Sequence, residues 1–166
     1  MSKIKNEPIC KEDYVQKVRS AMQHRAQWLY LLVDEAKKQG QDWEAIARAA
    51  TTRCGCFQGA GLSEDWVDHS TLKSFAAVFA DEDFQKYFDM DILENTDELL
   101  RIKFHHCPLV AGWQAIGCSD EEVAKLCDIA MDGDRNIAKA CGLDFTLGET
   151  IAEGGCCCEL TFCLKK

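Results

Sequence analysis

The stretch that decides the fold class is residues 88–108, FDMDILENTDELLRIKFHHCP. Apolar residues alternate with acidic ones over 88–92 and with basic ones over 100–105, which is the period of strands that bury one face. The polar cluster at 94–97 predicts a turn between the two strands. We therefore predict an antiparallel hairpin, which Pro108 ends because proline cannot donate to the sheet.

The chain before this hairpin has a helical pattern. Apolar residues at helical spacing predict an amphipathic helix over about 15–36, interrupted only by Arg25. Asp42 is the expected N-cap of a second helix, which we end at about residue 53. The glycine-rich segment 54–61, CGCFQGAG, is predicted to be a loop, and Ser63 is predicted to cap a third helix.

The chain after the hairpin returns to helices and then to strands. A short apolar helix is predicted over 109–116, and the pair Ser119 and Glu122 has the pattern of a capping box that opens a longer helix. Alternation over 143–147 and over 156–164 predicts two further strands. Runs of helices and runs of strands indicate an α+β fold, with a helical N-terminal half packed on a roughly four-stranded antiparallel sheet made of two hairpin regions.

Length and charge narrow the domain organisation and the partners. The chain has 166 residues and a net charge of −9, which fits one domain over 1–166 with a helical part at 1–83 and an α+β part at 84–166. An acidic chain is a poor partner for nucleic acid or anionic lipid. No apolar run is long enough to span a membrane, and no signal peptide is recognisable, so we expect a cytoplasmic protein. The sequence leaves a homodimer open.

Eleven cysteines allow three interpretations: a disulfide scaffold, a metal or cluster site, or reduced thiols of which one is a reagent. The odd count and the expected reducing compartment disfavour disulfides. In the run 156–158, we predict a strand in which Cys156 and Cys158 face the protein core. Adjacent strand residues point to opposite faces, so the three thiols would not meet at one metal.

The group His105, His106 and Cys107 is the densest set of reactive side chains. A histidine beside a cysteine can hold a thiolate near neutral pH and so activate a nucleophile. His105 and Cys107 can equally supply two zinc ligands. A buried structural cysteine beside hydrogen-bonded histidines is the third alternative.

A second candidate group lies on the predicted long helix. Asp128 and Asp132 are four residues apart and share a face with Arg135. Two close carboxylates raise the pKa of one of them, which is one way to make a general base or acid. The alternative is a solvated helix face with ordinary ion pairs.

Residues 85–164 contain an ordered set of motifs that resembles the L-2-amino-thiazoline-4-carboxylic acid hydrolase family of bacterial and archaeal proteins. The end of this region is also similar to the 4-vinyl-reductase small-molecule-binding domain. The turn at Gly154-Gly155 departs from the Gly-Asp that these families commonly have there. The motifs that carry the resemblance are His106-Cys107-Pro108, Trp113, Asp128, Gly133-Asp134-Arg135, the segment 149–154 and the segment 158–162.

The resemblance implies hydrolysis of a C–N or C–S bond in a small thiazoline-type ring acid, towards a cysteine derivative. The attacking group would be Cys107 or a water on Asp128, and a histidine would carry the proton. The predicted catalytic residues are Cys107, His106, His105 and Asp128. The predicted substrate-binding residues are Arg101, Trp113, Asp132, Arg135 and Cys158.

Two alternatives to a hydrolase stay open at this point. One is a non-catalytic small-molecule-binding or sensor domain of the 4-vinyl-reductase type. The weaker one is a Cys/His metal-site protein. No cofactor is predicted, and the expected partner is a small-molecule substrate or ligand.

Overall fold

The computed structural model of the chain describes residues 2–165. Two long helices come first, α1 (Asp13–Lys38) and α2 (Trp43–Asp65). The reversal between them uses Gly40, whose φ of 70° is in the left-handed region that glycine adopts without strain. Asp42 caps α2 by accepting a hydrogen bond from the Ala45 N–H, as its position in the sequence predicted.

After α2 come two short helices, a β-hairpin, a short and a long helix, and two further strands. The elements are α3 (Leu72–Phe79), α4 (Glu82–Phe88), β1 (Met90–Asn95), β2 (Leu99–Phe104), α5 (Pro108–Ala115), α6 (Asp120–Ala140), β3 (Leu143–Leu147), a 3-10 turn (Ile151–Glu153) and β4 (Cys158–Leu164). The capping box at the start of α6 is present, since the Ser119 and Glu122 side chains each bind the other residue's backbone N–H.

The four strands form one antiparallel sheet in the order β1-β2-β4-β3. Ile102 lies in the middle of this sheet, opposite Ile92 on one side and Leu160 on the other. The predicted α+β class and the four-stranded antiparallel sheet are therefore confirmed. Both predicted hairpin regions are present, and β2 of one pairs with β4 of the other to join them.

Helices α3 and α4 cover one side of the sheet through aromatic side chains. Phe75 and Phe79 on α3 contact Phe162 on β4, with ring centroids 5.5 and 4.9 Å apart. Phe88 at the end of α4 packs in the same way on Phe104 of β2, at 4.7 Å. These contacts bury the apolar face that the alternation in the strands predicted.

The glycine-rich segment 54–61 is helical and lies inside α2, so the predicted loop is wrong. Its glycines allow α2 to approach α6 closely. A side-chain carbon on Gly55 would overlap the backbone of Gly133, and one on Gly59 would lie 2.7 Å from the Ala140 side chain. The cost of glycine in a helix is offset here by packing that no larger residue permits.

Three predicted boundaries move for local reasons. Ser63 lies within α2, and Thr71 caps the next helix instead by accepting from the Lys73 N–H. Phe88 ends α4, because Asp89 adopts a φ of 46° that breaks the helix before β1 begins. The chain leaves β2 at Phe104, and Pro108 opens α5, where its missing N–H costs nothing.

The last strand is shorter than predicted. It begins at Cys158, and residues 156–157 form a bend before it. Cys158 faces the core as predicted, but Cys156 is exposed and Cys157 is buried. Cys156 and Cys157 therefore lie outside the strand, and the alternation of side chains between the two faces of a strand does not apply to them.

Across residues 2–165, no helix is long and apolar enough to cross a membrane.

Candidate functional site

Cys107 lies at the junction between β2 and α5, where it is the N-cap residue of α5 and only 9% exposed. The Asn6 side chain fixes the backbone at this point. Its Oδ1 accepts from the Cys107 N–H at 2.7 Å, and its Nδ2 donates to the Cys107 carbonyl at 2.8 Å. The position of the thiol is thus set by a residue 101 positions away in the chain.

Burial raises the pKa of the Cys107 thiol, and the backbone N–H groups of Leu109 and Val110 in the first turn of α5 act against this rise. Two charged groups also act on the thiol. Asp134 raises its pKa and Arg25 lowers it. Cys107 is therefore a neutral thiol in the resting protein, with helix-end donors placed to stabilise a thiolate once one forms.

Asp134, a half-buried residue, is the carboxylate whose charge acts on the Cys107 thiol. It lies on α6 seven residues after Cys127, so the two side chains are on the same helix face. Burial raises the pKa of Asp134 to about 6, and Arg25 and Arg135 partly oppose that rise. A carboxyl with such a pKa can accept and return a proton near neutral pH.

Two further thiols contribute to the same region. Burial raises the pKa of Cys127 well above its ordinary value and that of Cys158 to about 12, and in both the next contribution is repulsion by a Cys107 thiolate. The Cys158 Sγ also accepts a hydrogen bond from the Ile151 N–H at 3.3 Å. The site therefore combines three buried thiols with one carboxylate that titrates near neutral pH.

The two predicted histidines have hydrogen-bond partners other than the Cys107 thiol. His105 pairs with Asp91 at 2.8 Å between Nε2 and Oδ2, and lines a surface groove of about 530 Å³. His106 is 2% exposed, and its Nδ1 is hydrogen-bonded to the Asn6 carbonyl. Burial lowers the pKa of His106, so it is neutral at pH 7. Among residues 2–165, neither histidine belongs to a group of three or more donor side chains at metal-ligand spacing.

The predicted pair Asp128 and Asp132 is neutralised by arginines. Arg135 binds both carboxylates, at 3.0 and 2.7 Å, and Arg48 of α2 binds them from the other side. The pKa of Asp128 is lowered, chiefly by its hydrogen bond to Arg48. This network joins α2 to α6 and keeps Asp128 ionised. This geometry is that of ordinary ion pairs and not that of two carboxylates that share a proton.

The other predicted binding residues lie apart from one another. Arg101 is on the exposed face of β2 and pairs with Glu94 at 3.8 Å. Trp113 is fully buried, and its Nε1 donates to the Ala26 carbonyl at 2.8 Å, which ties α5 to α1. Of the nine predicted residues, Cys107, Trp113 and Cys158 belong to one hydrophobic core.

Sequence reasoning missed Asn6, Asp134 and Arg25. Nothing in the sequence indicates the contact of Asn6 with Cys107, because it depends on how the N-terminal segment crosses the domain. Asp134 did leave a signal in the sequence, since it follows Val123, Cys127 and Ala130 at helical spacing and so lies on an apolar helix face. Arg25 also left a signal in the sequence, since it is the single residue that interrupts the predicted apolar face of α1.

The fold and the site together define an α+β domain with a buried thiol at a strand-to-helix turn. The chain matches the L-2-amino-thiazoline-4-carboxylic acid hydrolase family over residues 19–162 and belongs to that family. No curated protein is significantly similar to it in sequence.

One solved structure is similar to this one in fold. It is described as a trafficking protein particle complex subunit 3 from Naegleria fowleri covalently bound to palmitic acid, with a TM-score of 0.56 and 15% identity. The match covers 88% of this chain and 96% of that one. At this identity the similarity concerns the fold alone.

Proposed function

We propose that this protein hydrolyses a small thiazoline-type ring acid, with Cys107 as the nucleophile and Asp134 as the group that accepts its proton. The observation that carries the proposal is the position of the Cys107 thiol, at the first turn of α5 and in the electrostatic reach of Asp134. Membership of the hydrolase family supports the same reaction class.

The chemistry follows from the ring. Its carbon between nitrogen and sulfur is amidine-like and the ring nitrogen is basic, so the bound ring carries a positive charge when that nitrogen is protonated. That charge stabilises a thiolate at Cys107 and so offsets the burial that keeps the thiol protonated. Asp134, with a pKa of about 6, is mainly a carboxylate at pH 7 and can accept the thiol proton. The ring cation therefore promotes transfer of the thiol proton to the Asp134 carboxylate at the moment when the nucleophile is needed.

The bonds can be followed through the reaction. The Cys107 sulfur bonds to the ring carbon, the ring C–S bond breaks, and Asp134 returns its proton to the departing sulfur. Water then adds to the carbon of the enzyme-bound intermediate, and the bond to Cys107 breaks with return of its proton. The product is a carbamoylated cysteine, and the thiol of Cys107 is regenerated.

The substrate carboxylate needs a cation, which we assign to Arg25. This side chain is exposed and lowers the pKa of both Cys107 and Asp134, so its charge reaches the site. Arg101 and Arg135 are less suitable, because each is already paired with carboxylates.

Incubation of the purified, reduced chain with L-2-amino-thiazoline-4-carboxylate tests the proposal, with mass spectrometry to follow the carbamoylated product. Cys107→Ala should abolish turnover, whereas Cys56→Ala, which removes an exposed thiol on α2, should leave it unchanged. Intact-protein mass after rapid quenching should show an adduct that Cys107→Ala lacks. Wild-type turnover in Cys107→Ala would refute the assignment of the nucleophile.

A non-catalytic binding domain is the second candidate, and the burial of the thiols favours it. Cys107 and Cys158 are neutral and shielded in the resting protein, as expected of a site that holds a ligand rather than transforms one. The similar fold of a subunit described as covalently bound to palmitic acid is compatible with this candidate. Retention of unchanged ring acid or of an acyl group by the protein, without product, would favour it over the hydrolase.

A further inference from the structure

Three side chains that the proposed reaction does not use meet at the bend before β4. The Sγ atoms of Cys156 and Cys157 are 3.6 Å apart, and the Glu149 Oε2 lies 3.9 and 3.7 Å from them. Tetrahedral zinc with two thiolates and one carboxylate requires separations of about 3.8 Å between sulfurs and about 3.5 Å from sulfur to oxygen. The two Sγ atoms and the Glu149 Oε2 therefore already have the spacing of three ligands of such a site. The point equidistant from the three atoms lies about 2.2 Å from each.

The bend explains how two adjacent cysteines serve one centre. In an extended strand their side chains would point to opposite faces, but residues 156–157 precede β4 and the chain turns there. One thiol is exposed and the other buried, so the cluster lies at the protein surface with one side closed.

Glu149 is held in place by the same turn. The Cys156 N–H donates to its Oε1 at 3.2 Å, and the Glu149 side chain lies over Gly155. A side-chain carbon on Gly155 would lie 2.7 Å from the Glu149 carboxyl carbon, so a larger residue would displace the Glu149 side chain from this position. The carboxylate is thus positioned before any ligand arrives, which reduces the entropy cost of binding.

The charges around the cluster suit a cation held by two thiolates. Lys103 of β2 lies beside the cluster and pairs with Glu159 of β4 at 3.6 Å. A thiol keeps its proton at pH 7 until a metal displaces it. A divalent cation with two thiolates and a carboxylate has a net charge of −1, which the shared Lys103 ammonium partly offsets.

We propose that Glu149, Cys156 and Cys157 form a binding site for a thiophilic divalent cation of the zinc or cadmium class, with water in the fourth position. Thiolates select such cations over magnesium and calcium, which prefer oxygen ligands. Binding replaces two thiol protons with one cation and releases both protons to solvent. Affinity should therefore rise with pH until both thiols ionise freely.

The test is a Cd²⁺ titration of the full, reduced and chelator-treated chain, followed by the thiolate-to-cadmium charge-transfer absorption. Cys156→Ser and Cys157→Ser should each weaken the tightest equivalent by about 100-fold or more, since losing even an outer partner of a ligand costs 10- to 100-fold. The double variant Cys54→Ser/Cys56→Ser, which removes two exposed thiols of α2, should bind as the wild type does.

X-ray absorption of the zinc-loaded protein should show two sulfur and two oxygen neighbours, and Glu149→Gln should weaken binding. Because Cys156 is exposed, Cys156→Ser should keep the fold, which circular dichroism verifies. Absence of a tight equivalent in the wild type, its persistence in Cys156→Ser, or its loss only in Cys158→Ser would overturn the proposal. Cys107→Ala should retain the equivalent, so this proposal and the proposed hydrolysis fail separately.

Discussion

Replacing Arg19 by methionine should lower the free energy of unfolding by about 3–5 kcal/mol. The guanidinium of Arg19 is 1% exposed and pairs with Asp89, which is 5% exposed, at 2.9 Å. It also donates to three backbone carbonyls, those of Cys10, Tyr87 and Lys86. Methionine has a similar shape but none of these donors, so the variant leaves a buried carboxylate and three carbonyls without their partner.

The expected size of the effect follows from that inventory. Breaking a buried ion pair by removing one partner costs about 3–5 kcal/mol, because the remaining charge stays buried and unpaired. For a domain of this length, about 2–4 °C is lost per kcal/mol, so the melting temperature should fall by about 6–20 °C. Since the His105 N–H donates to the Asp89 carbonyl, the chain that leads to Cys107 should also loosen.

The assay is urea denaturation followed by circular dichroism, with Arg101→Met as the matched control. Arg101 is exposed and paired only at 3.8 Å, so the control should lose less than about 1 kcal/mol. Adding Asp89→Asn to Arg19→Met should recover part of the loss, because it removes the unpaired charge and keeps an acceptor oxygen for one of the two N–H groups, of Ile9 and Cys10, that bind Asp89. A loss below about 1 kcal/mol in Arg19→Met would refute the reasoning.

Two further variants test the packing of α2 against α6 and the Asp134 carboxylate. Gly55→Ala should lower the free energy of unfolding by about 1–3 kcal/mol, because its side chain would overlap Gly133. Gly61→Ala, on the open side of α2, should leave that free energy unchanged or raise it by up to about 1 kcal/mol. Equal effects of the two variants in urea denaturation would contradict this packing. The pKa of Asp134 in the folded state, about 6, is above its unfolded value, so the stability it contributes is full below about pH 4 and lost as pH rises through 6. Asp134→Asn should therefore be more stable than the wild type by about 1–3 kcal/mol at pH 8, equally stable near pH 4, and inactive as a hydrolase; a constant difference in unfolding free energy from pH 4 to 8 would contradict this.

Most contacts of the candidate site could not be predicted from the sequence, because they join segments that are distant in the chain. Cys107 was singled out because it follows two histidines in the chain, which is a local pattern. The histidines beside it were given roles by adjacency in the chain, but the structure turns His105 toward Asp91 and His106 toward Asn6. Partners of a buried group come from distant segments, and sequence proximity does not select them.

The sequence by itself determined the elements whose signals are local. Alternation over β1 and β2, the cap at Asp42 and the capping box of α6 each depend on residues within one turn or one strand. Tertiary structure decided where helices approach and which polar groups are buried. The glycines of α2 are compatible with a loop until Gly133 lies against Gly55, and Arg19 resembles a surface arginine until Asp89 covers it. A period or a cap is a property of neighbouring residues, whereas close approach and burial are properties of segments that meet only in the folded chain.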